Sequence, residues 1–262
     1  MRIFITNKKT IFWSISIILI MILFIIFFSI KDCSFAIELS KSCFISEEVL
    51  NKINTLSQET EKIAYLTFDD GPNISVTPKV LDILNEEEVK ATFFVIGKNV
   101  DSHPEIVKRA YEEGHFIANH GFNHNNKLLY QSSESFINEI KKTDEAIGKA
   151  IGIPDYCAHV FRFPNGFMSP NNKSKKKEMV NLLKDINYTY IDWNCLNNDS
   201  VKKYSSYQLL NNLKKTSKNK KTLVILMHDT KDVSNSSTVL KESISYLKLQ
   251  GYEFHNFYDF AT

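Results

Sequence analysis

Polar residues suited to acid–base and metal chemistry lie in or after five apolar runs of this 262-residue sequence. Along the chain they are Asp69-Asp70, His120 with His124, Arg162 before Pro164-Asn165, Asp192-Trp193 with Asp199, and His228 after Leu226. In parallel α/β folds the working residues gather at the C-terminal ends of the strands. We therefore expect these side chains to meet at one site, where carboxylate and imidazole groups could bind a metal ion and transfer protons.

Each of these signals has a plainer interpretation when it is taken alone. The Asp-Asp-Gly-Pro sequence is good turn chemistry, although adjacent carboxylates repel each other unless a cation or an arginine compensates. His120 and His124 suit two imidazole ligands of one ion if the segment turns helically, but such pairs are also common as surface or core histidines. Arg162 either extends to the rim of the fold or pairs with a carboxylate, and His228 on its own could be a core histidine.

The apolar runs alternate with segments that have helix-start signals. The runs lie at 63–68, 91–96, 115–119, 159–163, 188–192 and 222–227, and they are apolar on both faces, as in a covered parallel sheet. Thr77-Pro78, His103-Pro104 and Ser132 are typical helix starts. Six or more strand–helix units in about 200 residues predict an α/β fold, either a (β/α) barrel or an open doubly wound sheet. No glycine-rich phosphate loop follows the first strand, so we expect no nucleotide.

The first thirty residues predict a membrane anchor. Residues 11–30 are apolar except for three serines, and a helix of about 20 residues reaches across a bilayer core. Basic residues precede this run, so the positive-inside rule places 1–10 in the cytoplasm and the chain after residue 31 outside. The prediction is a single-pass protein of the cell membrane with an extracellular stalk or linker at 31–60 and its main domain at 61–262. A cleavable signal peptide is the alternative, although its apolar region is usually shorter.

Composition narrows the classes of partner. Hydrophobic residues make up 43% and charged residues 24% of the chain, as in globular proteins, and a net charge of +2 gives no reason to expect a nucleic acid. The basic runs 173–177 and 218–221 are interpreted as solvated faces. Cys33 with Cys43, or Cys157 with Cys195, could pair in an exported chain, and the sequence does not decide between pairing and free thiols.

Taken in order, the motifs resemble those of the polysaccharide deacetylases, the NodB-homology domain of carbohydrate esterase family 4. They are Thr67-Phe68-Asp69-Asp70-Gly71-Pro72, His120-x-x-x-His124, Arg162-Phe163-Pro164, the Asp-Trp neighbourhood and Leu226-x-His228. The resemblance covers residues 61–262, and TFDDGP is its most specific element. With the predicted anchor, the chain is similar to membrane-anchored peptidoglycan N-acetylglucosamine deacetylases.

The resemblance implies a distorted (β/α) barrel with a parallel β core and one divalent metal ion. Asp70, His120 and His124 would bind the ion, which would be zinc in the first place, with cobalt, nickel or iron as alternatives. Asp69 would be the general base that accepts a proton from the attacking water. Arg162 would keep that carboxylate ionised and oriented.

The resemblance also implies an acid and a substrate slot. His228 would protonate the leaving amine, and Asp199 would orient it, although Asp192-Trp193 is a competing match for that motif. The residues that would contact the substrate are Pro164, Asn165, Trp193 and Leu226, with the backbone N–H of Asn165 as an oxyanion donor. Asn165 stands where relatives commonly carry Tyr or Gly.

The implied function is removal of N-acetyl groups from a cell-wall glycan, with release of acetate. Peptidoglycan N-acetylglucosamine is the expected substrate. Alternatives with the same chemistry are N-acetylmuramic acid, chitin-like oligomers and O-acetylated xylan. A wall-binding protein that keeps the fold without activity is a further alternative, and the presence of every motif residue argues against it.

Overall fold

A computed structural model describes residues 61–201, 203–230 and 235–260 of the chain, all within the unit Phe44–Thr262. Parallel strands alternate with helices along these residues. The strands are β1 (Ile63–Asp69), β2 (Thr92–Val95), β3 (Phe116–Asn119), β4 (Val160–Phe161), β5 (Thr189–Tyr190), β6 (Cys195–Leu196), β7 (Thr222–His228) and β8 (Glu253–His255). The helices are α1 (Thr77–Glu86), α2 (Gly97–Ser102), α3 (Pro104–Glu112), α4 (Asn126–Leu129), α5 (Ser133–Ile151), α6 (Lys173–Asp185), α7 (Ser206–Ser217) and α8 (Asn235–Leu249), followed by a 3₁₀ helix (Phe257–Phe260).

The strands form one parallel sheet that curls into an open barrel. Its order is β5-β4-β3-β2-β1-β7-β6, with β8 added to the first half of β1. The described pairings do not join β5 to β6, so the barrel stays open there. The predicted α/β fold with a parallel β core is confirmed, and the six predicted strands are present. Two further strands were not predicted: β6, which has two residues, and β8, in which polar residues flank Phe254.

The side chains of β1 alternate between two hydrophobic cores, one on each face of the sheet, and the strand ends in polar residues. Ala64, Leu66 and Phe68 face outward into the core under the helices. Ile63 and Tyr65 face inward and pack in the barrel interior with residues such as Phe94, Val160 and Val224. Because strand side chains alternate, Thr67 and Asp69 continue the inward face at the C-terminal end of β1. The same alternation on β7 carries the inward face from Val224 through Leu226 to His228.

The helices begin where the sequence predicts them to begin. Pro78 and Pro104 stand in the first turns of α1 and α3. The Ser132 hydroxyl caps α5 by accepting the N–H of Ser135, and Gly152 ends that helix in the left-handed region, at φ 75°. A buried stripe that includes Phe136 packs α5 against the sheet.

The predicted location is corrected. Within the described residues, no helix combines the length and the apolar character that crossing a bilayer requires. Even α5, which has 19 residues, carries acidic and basic side chains along its exposed face. The prediction of a single-pass membrane protein is therefore not upheld. Its proposed parts, at 1–10, 11–30 and 31–60, lie outside the described residues.

No disulfide joins the two described cysteines. Cys157 is half-buried, and Cys195 is fully buried in β6. The Cys157–Cys195 pairing that the sequence left open is therefore not formed. Cys33 and Cys43 lie outside the described residues.

Candidate metal centre and active site

Asp69 and Asp70 end β1 and make different contacts. Asp69 is the last residue of the strand and lies on its inward face. Asp70 follows in the left-handed region, at φ 74°. The side-chain amide of Asn99 donates to the Asp70 carbonyl oxygen at 2.8 Å and fixes this turn. As a result the two neighbouring carboxylates diverge: Asp69 contacts an arginine, and Asp70 contacts two histidines.

His120 and His124 bring their Nε2 atoms to the same oxygen of Asp70. The Nε2 atoms lie 3.4 Å (His120) and 3.2 Å (His124) from Asp70 Oδ1. His120 Nδ1 lies 2.8 Å from the carbonyl oxygen of Arg162, a contact that orients the ring with Nε2 toward the site. A loop joins the two histidines, with His124 at φ 52°, and not the helical turn that we considered from their spacing.

These three side chains fit a metal ion. One ligand atom from each lies within 4.8 Å of the other two. Asp70 Oδ1 is buried and has no hydrogen-bond partner among the described residues. Two imidazole nitrogens that face one unsatisfied carboxylate oxygen are a common donor set for a divalent cation. Burial favours a higher pKa for Asp70, but the contact with His120 and its charge outweigh burial, so the pKa lies well below its usual value.

Arg162 is 0% exposed and shares its donors among acceptors at the ends of two strands, β1 and β5. Its Nη1 donates to Asp69 Oδ1 at 2.8 Å and to Thr67 Oγ1 at 2.7 Å. Its Nε and Nη2 donate to the carbonyl oxygens of Ile191 and Asp192. A buried guanidinium needs such a set of acceptors. Of the two interpretations open from the sequence, the carboxylate pair is the one observed.

Asp199 contacts His228, and Asp192 does not. The Oδ1 of Asp199 lies 2.7 Å from His228 Nδ1, and its Oδ2 accepts the His228 backbone N–H at 2.9 Å. Burial alone would lower the pKa of His228, but the hydrogen bond and charge of Asp199 outweigh it and raise the pKa to about 9. Asp192 instead accepts the backbone N–H groups of Phe167 and Met168, at 2.9 and 3.2 Å.

The four residues predicted to contact the substrate lie on the loops and strand ends around these groups. Pro164 is buried, and Asn165 is exposed at φ 64°. Trp193 is half-buried and covers Gly166, where an added Cβ atom would lie 2.6 Å from the indole ring. Only glycine fits at that position. Leu226 is buried on the inward face of β7, two residues before the end of the strand.

Three buried charged residues near the site were not predicted. Glu139 of α5 accepts N–H groups of the loop between the two histidines. Lys176 of α6 is buried and donates to the carbonyl oxygen of Gly166 at 2.5 Å, whereas its basic run predicted a solvated face. The Thr77 hydroxyl donates to Asp229 Oδ2 at 2.6 Å, and burial raises the pKa of Asp229 to about 7. The sequence could not indicate them, because charged residues on helices and after strands are usually exposed, and only tertiary packing buries these three.

Comparison with known sequences finds one family. The family profile described as Polysaccharide deacetylase matches residues 57–191. A peptidoglycan-N-acetylglucosamine deacetylase of Bacillus cereus is 34% identical over 191 residues, which are 72% of this chain and 64% of that protein. A peptidoglycan-N-acetylmuramic acid deacetylase, PdaA of Bacillus subtilis (strain 168), is 31% identical over 204 residues, 78% of this chain and 73% of that protein. The chain thus spans just under two thirds of the first of these relatives.

Comparison with solved structures finds the same fold. A CE4 esterase of Streptococcus mutans superimposes with a TM-score of 0.70 at 27% sequence identity. The match covers 83% of this chain and 93% of that one. The described fold is therefore similar over nearly the whole of a solved esterase.

Proposed function

Because this chain belongs to the polysaccharide deacetylase family, we propose that it hydrolyses the N-acetyl amide of N-acetylglucosamine residues in peptidoglycan and releases acetate. Membership of the family makes the chain a hydrolase, as its motifs predict. The name of the Bacillus cereus relative supports peptidoglycan as the substrate. The reaction breaks the amide C–N bond, adds the oxygen of water to the acetyl carbon and leaves a free amine on the sugar.

One observation carries this proposal: the side chains proposed as base, acid and metal ligands converge at one end of the sheet. In strand register Asp69 of β1 stands beside His228 of β7. Asp70, the next residue, faces the two histidines of the cation site. Water attack on an amide needs a base for the water and an acid for the nitrogen, and Asp69 and His228 would supply them next to the proposed cation site.

Asp70, His120 and His124 would hold one divalent ion, with zinc as the first choice. When bound, the ion supplies a Lewis acid that activates water and polarises the amide carbonyl. The protein would contribute three ligands, as in catalytic sites that also admit water and substrate.

Asp69 would accept the proton of the attacking water. Its Oδ1 is occupied by Arg162 at 2.8 Å. Its Oδ2 lies 3.9 Å from His120 Nε2 and therefore faces the cation site. Arg162 thus positions one oxygen of the base and leaves the other available for the proton.

His228 would donate the proton that the leaving nitrogen needs. An amine departs poorly as an anion, so the N–H must form as the C–N bond breaks. Asp199 occupies Nδ1, which leaves Nε2 of the ring for the substrate. The raised pKa of His228, at about 9, keeps the ring protonated near neutral pH.

The substrate contacts complete the proposal. The backbone N–H of Asn165 would donate to the oxyanion that forms on the acetyl oxygen. Pro164 and Gly166 shape the turn that carries this group. Trp193 and Leu226 would line the slot for the acetyl methyl group.

Mass spectrometry of peptidoglycan fragments before and after treatment with the full-length protein tests the function. We expect acetate release and a loss of one acetyl group per reacted N-acetylglucosamine. A chelator should abolish both, and added Zn²⁺ should restore them. No acetate from any glycan, with binding to the wall retained, would show a wall-binding protein instead.

The same measurement separates the alternative substrates. Deacetylation at N-acetylmuramic acid is the outcome that the Bacillus subtilis relative's name suggests. If acetate is released from chitin-like oligomers or from O-acetylated xylan but not from peptidoglycan, the proposed deacetylation stands and the proposed substrate is wrong.

A further inference from the structure

We infer that Glu139 is a positioning residue for the metal centre: its buried carboxylate fixes the loop that presents His124 to Asp70. This inference rests on the proposed function, because it extends the cation site proposed there. Glu139 lies on α5, outside the motifs that predicted the site, and its side chain touches neither of the histidines' ring nitrogens in the described contacts.

Glu139 is 6% exposed, and its carboxylate accepts three N–H groups of the loop. Its Oε2 accepts the backbone N–H groups of Phe122 and Asn123, at 3.1 and 2.9 Å. Its Oε1 accepts Nδ2 of Asn123 at 2.7 Å. Hydrogen bonds to an ionised acceptor are about twice as strong as neutral ones. One side chain therefore holds two consecutive peptide units of the loop between the metal-ligating histidines.

The opposite side of the loop is held by α2. The N–H of Gly97 donates to the carbonyl oxygen of Gly121 at 3.1 Å, and the N–H of Lys98 donates to that of Phe122 at 3.0 Å. The loop is thus fixed from two helices, through its carbonyl oxygens on one side and its N–H groups on the other. Glu139 is the charged member of this set.

The two histidines depend on this loop to different degrees. His120 is anchored on the sheet, because its backbone N–H donates to Val95 and its Nδ1 contacts the carbonyl oxygen of Arg162. His124 lies at the far end of the loop, in the left-handed region that is unfavourable for a non-glycine residue. Loss of the Glu139 bonds would let His124 leave this conformation, and with it the position 3.2 Å from Asp70.

Zn²⁺ affinity of the full-length protein tests the inference without any use of activity. The metal-free protein is titrated with Zn²⁺ in competition with a chromophoric chelator. Glu139→Gln keeps the size of the side chain but replaces two charged acceptor oxygens with one neutral acceptor and one N–H₂ group. We expect Zn²⁺ to bind about 10–100-fold more weakly, the range seen when outer partners of metal ligands are removed. Amide hydrogen exchange at Phe122 and Asn123 should become faster.

Two control variants separate positioning from general stability. Glu145→Gln changes an exposed glutamate on the same helix and should bind Zn²⁺ like the wild type. Ile140→Val trims a buried residue of α5 and lowers stability without touching the loop N–H groups, so its Zn²⁺ affinity should also stay unchanged.

The outcomes are distinct. If Glu139→Gln binds Zn²⁺ with wild-type affinity, the inference is overturned while the proposed function stands. If the wild type binds no Zn²⁺, the metal centre and the inference are overturned together. Should Glu139→Gln fail to fold, Glu139→Asp provides the test: it keeps the charge but is one methylene too short to reach the loop, and wild-type affinity there would also overturn the inference.

Discussion

The contact between Asp69 and Arg162 allows the proposed base to be tested by a single substitution. Asp69→Asn keeps the shape of the side chain but cannot accept a proton, and it leaves the buried guanidinium without its charged partner. We expect acetate release to fall by about 10²–10⁴-fold, the contribution of a positioned base. Steady-state kinetics on an N-acetylated glycan measures this loss. Asp101→Asn, at an exposed aspartate, is the control, and full activity of Asp69→Asn would remove Asp69 from the mechanism.

The pair of His228 and Asp199 predicts the alkaline limb of the pH profile. His228 acts in its protonated form, so kcat should fall as pH rises through its pKa of about 9. Asp199→Asn removes the charge that raises this pKa while burial continues to lower it. The descending limb should therefore move to lower pH by about 1–3 units.

Asp192→Asn is the matched control for this shift. Asp192 precedes the neighbouring Trp193 but contacts the N–H groups of Phe167 and Met168, so its substitution should not move the limb. A limb that stays at the same pH in Asp199→Asn would show that another group provides the acid.

Among single residues, those at the ends of strands could be predicted from the sequence, and those that contact the site from helices could not. Asp69, Asp70, His120 and His228 were predictable because each follows or ends an apolar run. The choice between Asp192 and Asp199 was not predictable, because both follow β5 and only the path of the chain past β6 brings Asp199 to His228.

The turn from Pro164 to Ser169 is held by two opposite charges from neighbouring elements. Asp192, after β5, accepts two of its N–H groups. Lys176 of α6 is 1% exposed and donates to the carbonyl oxygens of Gly166 and Ser169, at 2.5 and 3.4 Å. This clamp holds the turn that presents the proposed oxyanion donor.

Lys176→Met tests the clamp, because methionine fills the space of the lysine stem without its donors. We expect the free energy of unfolding to fall by about 1.5–3 kcal/mol, the range for a hydrogen bond to a charged group. We also expect kcat to fall about tenfold with little change in KM, which is less than the 10²–10³-fold cost of losing an oxyanion donor itself. Kinetics and urea unfolding measure the two effects. Lys177→Met, at the next and exposed position, should show neither, and an unchanged kcat in Lys176→Met would limit Lys176 to a structural role.

The elements themselves were predictable to the extent that their patterns are local. Helix α5 follows from a serine cap, a periodic buried stripe and a glycine end, all within its own residues. Strand β6 has two residues and exists only through its pairing with β7, so no periodicity could indicate it. The burial of Lys176 in a basic run is likewise a consequence of packing, since five neighbouring polar residues predict an exposed face.

For the whole molecule, the sequence indicated a parallel α/β core but left open whether the sheet closes. The sheet would close only if β5 paired with β6, the strands at the two ends of the sheet order. The local pattern of neither strand indicates whether they pair. The family resemblance, and not periodicity, favoured the barrel. The location of the protein was inferred from a segment outside the described residues, and the described helices gave it no support.

Folding stability should depend on pH through a buried carboxyl group that ties three elements together. Asp144 of α5 accepts the hydroxyl of Tyr188, just before β5, and Nδ2 of Asn119 at the end of β3. Burial raises the pKa of Asp144 to about 7, although these hydrogen bonds oppose the shift. The folded state therefore holds this proton more tightly than the unfolded chain, and the associated stability is lost as pH rises through 7.

Asp229, whose pKa is raised to about 7, also loses its contribution to stability as pH rises. His115 has the opposite effect: burial lowers its pKa to about 3, so its contribution to stability increases as pH rises. The His115 contribution rises through the unfolded value of about 6.5 and is nearly complete about one pH unit above it. His228, whose pKa is raised to about 9, has the same sign as the two carboxyl groups and adds to the loss of stability in this range. From pH 6.5 to 8 the free energy of unfolding should thus decrease, with a slope of at most about 1.4 kcal/mol per pH unit from each group whose pKa is raised.

Urea unfolding of the metal-free protein at pH 6.5 and pH 8 measures this slope. Asp144→Asn removes one of these titrations and keeps a polar group opposite Tyr188, so its decrease between the two pH values should be smaller than that of the wild type. Asp155→Asn, at an exposed residue of the turn after α5, should leave the slope unchanged. If Asp144→Asn shows the full wild-type decrease, the buried carboxyl group is ionised in the folded state throughout this range, and its network stabilises the barrel independently of pH.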